Sequence, residues 1–323
     1  MNPTTVLSAA AQAAGAQDFP PGALYVVATP IGNLADITLR AVHTLALVDA
    51  VACEDTRQSA HLLTALGLNK PLLAVHEHNE REGAQKVVER LQRGERVAYI
   101  SDAGTPAVSD PGAALVQAVR EAGCRCLPLP GASSALAALS VAGDVSKRGF
   151  RFIGFLPAKG SERAAALRAA VMDACSVVLF ESPHRVEALA NELAQACPAR
   201  RLTVAREMTK QFEAVHTLAA GEWPAWLAAD PNRRRGEFVL VLHGAGEGSL
   251  AASDTPGSGS PGRAEPSTPE EQAAHRVLAI LLQDLPVKQA ATLGAEISGL
   301  PKKRLYQWAL DLKDAQGEGV ADA

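Results

Sequence analysis

The sequence predicts an α/β protein: two consecutive α/β domains followed by a small helical domain. Three observations carry that expectation. From Leu24 onward, short apolar runs alternate with segments of helical periodicity, the rhythm of a parallel sheet with right-handed crossovers. Between one such run, Val97–Ile100, and a helical segment, Ala113–Ala122, lies Ser101–Gly112, which holds two Gly, two Pro and two Asp in a dozen residues. That composition suits neither strand nor helix, and it places a rigid loop in the crevice at the carboxyl edge of a sheet, where open α/β folds bind ligands. Finally, the composition changes abruptly after Gly244, where Gly, Ser, Pro and Thr dominate up to Pro269.

Each element follows in order. Met1–Pro21 is rich in Ala, Gln and Thr without clear caps and reads as a flexible extension. Leu24–Ala28 is a strand, Thr29–Asn33 a turn, and Leu39, Val42 and Leu45 mark the inner face of a helix. Val48–Cys53 is a second strand, ending in Glu54-Asp55-Thr56-Arg57 before a helix that Gly67 stops. Leu72–His76 is a third, ending in Glu77-His78-Asn79-Glu80, and Val87, Val88 and Leu91 line the next helix. After the Gly/Pro/Asp loop come a fifth strand, Cys124–Leu129, the turn Pro130–Ser134 and an Ala/Leu helix to Ala142. The second unit offers strands at Phe152–Phe155, Val177–Phe180, Leu202–Ala205 and Phe238–Leu242. Beyond the Gly/Ser/Pro stretch, Glu270–Leu282, Val287–Ile297 and Lys302–Lys313 have helical patterning. The expected organisation is a flexible extension over 1–21, a parallel-sheet domain over 22–145, a second α/β domain over 146–245, a flexible linker over 246–269 and a helix-turn-helix-like domain over 270–314.

Composition narrows the chemistry. The 323 residues are 47% hydrophobic but only 4% aromatic, so the cores are mostly Ala, Leu and Val. A formal net charge of −4 confines any nucleic-acid contact to local basic patches. Five cysteines without CxxC spacing read as reduced thiols in a cytoplasmic protein, and no run of eighteen apolar residues suggests a membrane span. The first turn is not GxGxxG, and neither GxxxxGK[ST] nor GxSxG is present.

The strand-end turns collect on one edge if the strands are parallel, which is the plan of a substrate cleft. In the second unit Arg185, Arg206 and Lys210 stand at strand ends, suited to anionic oxygens such as RNA phosphates or else to pairing with Glu181, Glu207 or Glu213. His76 and His78, two apart, lack a third metal ligand.

Seven segments then carry a resemblance: Val27-Ala-Thr-Pro-Ile-Gly-Asn-Leu34, Glu54-Asp-Thr-Arg57, Ser101–Gly112, Pro130-Gly-Ala-Ser-Ser134, Glu181-Ser-Pro-His-Arg185, Ala205-Arg-Glu-Met-Thr-Lys210 and Gly236-Glu-Phe-Val239. In this order they resemble the ribosomal RNA small subunit methyltransferase I family, of the tetrapyrrole-methylase (class III) superfamily. The resemblance implies a tetrapyrrole-methylase-like pair of domains with S-adenosylmethionine as methyl donor in the cleft and no metal. It implies 2′-O-methylation of a cytidine ribose in the decoding region of 16S rRNA, on the RNA or the small subunit, by a homodimer. The donor site it implies includes Pro30, Gly32, Asp102, Gly104, Thr105, Ser133, Ser134, Phe180, Ala205 and Glu237. Substrate-binding cations are then Arg57, Arg185, Arg206 and Lys210, and Glu54, Asp55, His78 and Glu80 are candidates for taking the hydroxyl proton. Two alternatives stay open: a small-molecule methyltransferase acting on a tetrapyrrole, and a ligand-sensing DNA-binding regulator that uses the terminal helices.

Overall fold

The computed structural model describes residues 2–76, 79–109, 111–145, 148–244 and 269–317. Residues up to 245 form one compact unit and those after it a second.

The first sheet is parallel throughout, in the order β3-β2-β4-β1-β5, with β1 at Ala23–Val27, β2 at Ala50–Cys53, β3 at Leu72–Ala74, β4 at Val97–Ile100 and β5 at Arg125–Leu129. Its inner strands β1, β2 and β4 read as continuous apolar runs because both faces are covered. Tyr25, Val51, Cys53, Ala98 and Ile100 pack on one side with helices α2 (Leu39–Leu47) and α3 (Thr56–Ala65). Leu24, Ala52, Val97 and Tyr99 pack on the other with α4 (Glu80–Gln92) and α5 (Ala113–Glu121).

The N-terminal segment departs from expectation. Pro3–Ala14 is helix α1, capped by the Asn2 side chain, with Ala10 and Ala14 buried and Val6, Leu7 and Phe19 packed on the core over α2. Its alanines gave too weak an apolar signal to reveal the buried face, yet small side chains let the helix lie close against its neighbour. The 246–269 linker lies outside the described residues except for Pro269, which opens a helix.

The second sheet is mixed, in the order β6-β7-β10-β8-β9: β6 at Phe150–Phe155, β7 at Ser176–Glu181, β8 at Arg201–Arg206, β9 at Ala214–Ala219 and β10 at Phe238–Leu242. Only β6 and β7 run parallel; β10 is antiparallel to both neighbours, and β8 and β9 form an antiparallel pair. Helices α7 (Gly160–Val171), α8 (Val186–Ala196) and α9 (Trp223–Ala228) cover one face. The other is covered by α6 (Ser134–Ala142), which leaves the first sheet after β5 and seats Ala135, Ala138 and Ala142 on the second. At the end of β10, buried His243 meets the Thr203 hydroxyl at 2.8 Å, and the Arg200 Nε donates to its carbonyl at 2.6 Å.

The separate C-terminal unit contains α10 (Pro269–Asp284), α11 (Val287–Ser298) and α12 (Lys302–Gly317). Leu278, Ala290, Ala291, Leu305 and Trp308 close its core, and Gly299, left-handed at φ 70°, makes the turn that the sequence break at Gly299-Leu300-Pro301 marks.

Candidate active site

A cavity of about 460 Å³ opens at the carboxyl edge of the first sheet, facing the α6-covered face of the second. One wall is built from turns. The N–H of Thr29 donates to the Gly104 carbonyl at 2.9 Å, and the N–H of Gly104 returns a bond to Thr29 at 3.0 Å, which fastens the turn after β1 to the loop after β4. Gly104 holds φ at +79°, where L side chains are strained, and its bare backbone borders the cavity. The Thr105 hydroxyl donates to the Ala132 carbonyl at 3.1 Å, drawing in the third turn, and Ser133 caps α6 by accepting from the Leu136 N–H. Gly104, Thr105, Ser133 and Ser134 thus bring peptide groups and hydroxyls together along one strip.

The opposite wall is aromatic. Phe180 meets the edges or faces of Phe152 and Phe155 with centroids 5.1 and 5.6 Å away, and Met208 and Val239 continue the apolar surface. Glu237 contributes an acidic group to the lining, while the Glu181 carboxylate is turned inward and buried beneath it. The two walls touch beyond the cavity: a Cβ at Gly32 would stand 2.6 Å from Lys210 Cγ and 2.9 Å from Thr209 Oγ1, so only glycine admits this approach. Among the described residues, the non-glycine positions at positive φ are Ala107, Ser109, Glu207 and Thr209, two in the loop after β4 and two in the loop after β8, both of which contribute to the cavity lining. Backbone strain of this kind costs about 1–3 kcal/mol per residue and concentrates at ligand sites.

The expected donor residues divide accordingly. Gly104, Thr105, Ser133, Ser134, Phe180 and Glu237 line the cavity. Pro30 and Gly32 flank Ile31, which lines it in their place. Ala205 is buried opposite Val239 and packs against α6, supporting the wall from behind. Asp102 is turned toward α3: its carboxylate accepts from the Asp55 N–H and from Gln58 Nε2, each at 3.3 Å. Burial pushes its carboxyl above the usual range, the Asp55 charge adds to that, and the Asp55 N–H opposes it.

Two of the expected proton acceptors are committed elsewhere. Glu80 Oε1 accepts from the N–H groups of Gly112 and Ala114 at 2.9 and 3.1 Å and so caps α5 from a neighbouring helix. Asp55 caps α3 by accepting from the Arg57 N–H at 2.7 Å. An acidic residue at a strand end and one at a helix start look alike in sequence, and here helix capping claims both carboxylates. Glu54 is half-buried beside them, and His78 lies outside the described residues.

The cations divide as well. Arg57 is exposed on the first turn of α3. Arg185 pairs with fully buried Glu181 at 3.2 Å and donates to the Leu156 and Pro157 carbonyls. Arg206 donates to the carbonyls of Arg235 and Phe212. Lys210 pairs with Glu207 and Glu237 at 2.9 and 3.0 Å; burial opposes its charge, but the two carboxylates outweigh this and hold its pKa above the ordinary value. Arg185 and Lys210 thus pair with carboxylates, the alternative open for them, whereas the hydrogen bonds of Arg206 go to backbone carbonyls.

Sequence reasoning singled out none of Ile31, Val108, Phe152, Phe155 and Met208 as site residues, because an apolar side chain facing a ligand and one facing a core carry the same signal. Ile31, Val108 and Met208 fell inside noted motifs, whereas Phe152 and Phe155 lay outside all of them. Among the described residues, no group of three His, Cys, Asp or Glu is placed to hold a metal ion.

Comparison with known proteins gives a consistent result. Residues 23–223 match the family model of the Tetrapyrrole (Corrin/Porphyrin) Methylases, and residues 268–313 match the RsmI C-terminal HTH domain. The chain is 47% identical to a Ribosomal RNA small subunit methyltransferase I of Neisseria meningitidis serogroup A, over 91% of this chain and 94% of the relative. It is 45% identical to the protein of that name from Pseudomonas aeruginosa, over 90% of this chain and 97% of the other. Among solved structures, it is similar to the cobalt precorrin-4 methyltransferase CbiF (18% identity, TM-score 0.52, 70% of this chain and 98% of that one). It is also similar to the methyltransferase CobJ (22% identity, TM-score 0.52, 72% and 96%). Those two likenesses show the fold alone.

Proposed function

The chain belongs to the ribosomal RNA small subunit methyltransferase I family, and on that premise we propose that it transfers a methyl group from S-adenosylmethionine to the 2′-oxygen of a cytidine ribose in the decoding region of 16S rRNA. The observation that carries the reading is the cavity itself, a strip of peptide groups facing an aromatic wall, in a chain whose likeness to rRNA methyltransferases runs through about nine-tenths of its length.

The residues present suit such a donor. A cavity of about 460 Å³ is within the usual range for small-molecule sites. Its aromatic side offers stacking and apolar contact to a purine, while Gly104, Thr105 and the start of α6 offer hydrogen-bonding groups to a ribose and an amino-acid tail. Bound there, S-adenosylmethionine supplies a methyl group on a sulfonium, so transfer is an in-line displacement that calls for no metal and no covalent enzyme intermediate. What the chain contributes is alignment, water exclusion and a destination for the hydroxyl proton. Arg57 stands exposed near that edge and is suited to an RNA phosphate. We further infer that the protein acts as a homodimer in the cytoplasm; among the described residues, no helix is long and apolar enough to cross a membrane.

The test is direct. Small ribosomal subunits incubated with methyl-labelled donor should yield labelled 2′-O-methylcytidine on nucleoside mass spectrometry. Label on a base, or on an offered precorrin instead of RNA, overturns the reading.

A further inference from the structure

We propose that Asp102 takes the proton of the attacking ribose hydroxyl, and that its side chain serves the acceptor and not the donor. This inference rests on the rRNA 2′-O-methylation proposed above. Ala103 and Gly104, the two residues after Asp102, line the cavity, but Asp102 does not. Its carboxylate, one residue before that lining, is held toward α3 by the Asp55 N–H and Gln58 Nε2, one bond to each oxygen. An ionised carboxylate has about four acceptor positions, so each oxygen keeps capacity for a further donor. Of the acids on this edge, Glu80 and Asp55 are fixed at helix N-termini as caps, whereas Asp102 caps no helix and its two partners are a single loop N–H and a side-chain amide.

The surroundings also suit the chemistry. The groups that the structure sets against Asp102 are Asp55 at the β2–α3 junction, Gln58 on α3 and the buried Cys53 thiol at the end of β2. Partial burial and the neighbouring Asp55 carboxylate both favour the protonated form, which raises basicity in the direction a proton acceptor requires. In the step itself, the ribose oxygen forms a bond to the methyl carbon as the carbon–sulfur bond breaks. The electron pair of that bond stays on sulfur, giving neutral S-adenosylhomocysteine. The hydroxyl proton passes to the Asp102 carboxylate, which later returns it to solvent.

The experiment compares Asp102→Asn and Asp102→Ala with the wild type in the full chain. Asparagine retains an acceptor for the Asp55 N–H but cannot take a proton. Calorimetry should show unchanged S-adenosylmethionine affinity in Asp102→Asn, and its single-turnover methylation of small subunits should fall about 10²- to 10⁴-fold. The wild-type rate should decline at acid pH as a single group becomes protonated, and the variant should lack that limb. Added formate should restore part of the activity of Asp102→Ala. Loss of donor affinity in a variant that melts like the wild type overturns the proposal and makes Asp102 a donor ligand. A wild-type rate and pH profile in Asp102→Asn, or no formate rescue in a folded Asp102→Ala, also overturns it. Failure of the wild type to form 2′-O-methylcytidine would instead remove the function on which the proposal rests.

Discussion

Thr29 and Gly104, 75 positions apart in sequence, exchange two backbone hydrogen bonds, so the turn after β1 and the loop after β4 behave as one wall of the cavity. The exchange depends on Gly104 at φ +79°. A β-branched residue there is strained by about 1–2 kcal/mol and projects a side chain beside the donor site. Gly104→Val is therefore expected to abolish S-adenosylmethionine binding in calorimetry while the protein stays folded. Wild-type binding should be the same with and without a chelator.

Arg57 and Arg185 should respond differently to alanine. Arg57→Ala should weaken rRNA methylation, flatten its dependence on salt because fewer counterions are released, and leave the melting temperature in place. Arg185→Ala removes a charged partner from buried Glu181, a loss of about 1.5–3 kcal/mol by the usual worth of such bonds. It should show first as a lowered melting temperature, read by calorimetry in parallel with activity.

His243 makes stability depend on pH. Burial lowers its pKa, Arg201 and Arg200 act in the same direction, and Asp144 opposes them. The unfolded chain therefore binds the proton more readily than the folded one, so this contribution is present at high pH and is lost as pH falls through about 6.5 toward the folded-state value. Melting temperature should drop between pH 8 and 6, where carboxylates stay ionised. His243→Gln should flatten that slope.

A chain ending at Gly244 should keep its fold and its donor affinity, because the terminal helices close their own core and form a separate unit. It should methylate small subunits with a raised Michaelis constant, since a tethered second contact raises effective concentration at the cleft. A marked drop in melting temperature together with loss of donor binding would show that the helices instead stabilise the body.

The central strands were legible because burial on both faces leaves an unbroken apolar run: Val97–Ile100, Ala50–Cys53 and the antiparallel Phe238–Leu242 are apolar at every position. Strand β9 was not, since it lies at a sheet edge and its two central residues, His216 and Thr217, are polar and break the apolar run. In the site, the turns were legible through Gly, Pro and Ser, whose backbone demands are local. The aromatic wall was not, because only folding shows that Phe152 and Phe155 face a cavity.

The last strand of the second sheet, β10, is also its central one, between β7 and β8. A nascent chain can complete the first sheet once residue 129 has emerged from the ribosome, because all five of its strands are then in hand. The second sheet must wait for residue 242, with β7 and β8 each lacking a neighbour until then. Glu237, Phe238 and Val239 belong to the cavity wall, so the cavity is completed only at that final insertion. Fragments released earlier in synthesis therefore carry a finished first sheet beside an unfinished cavity.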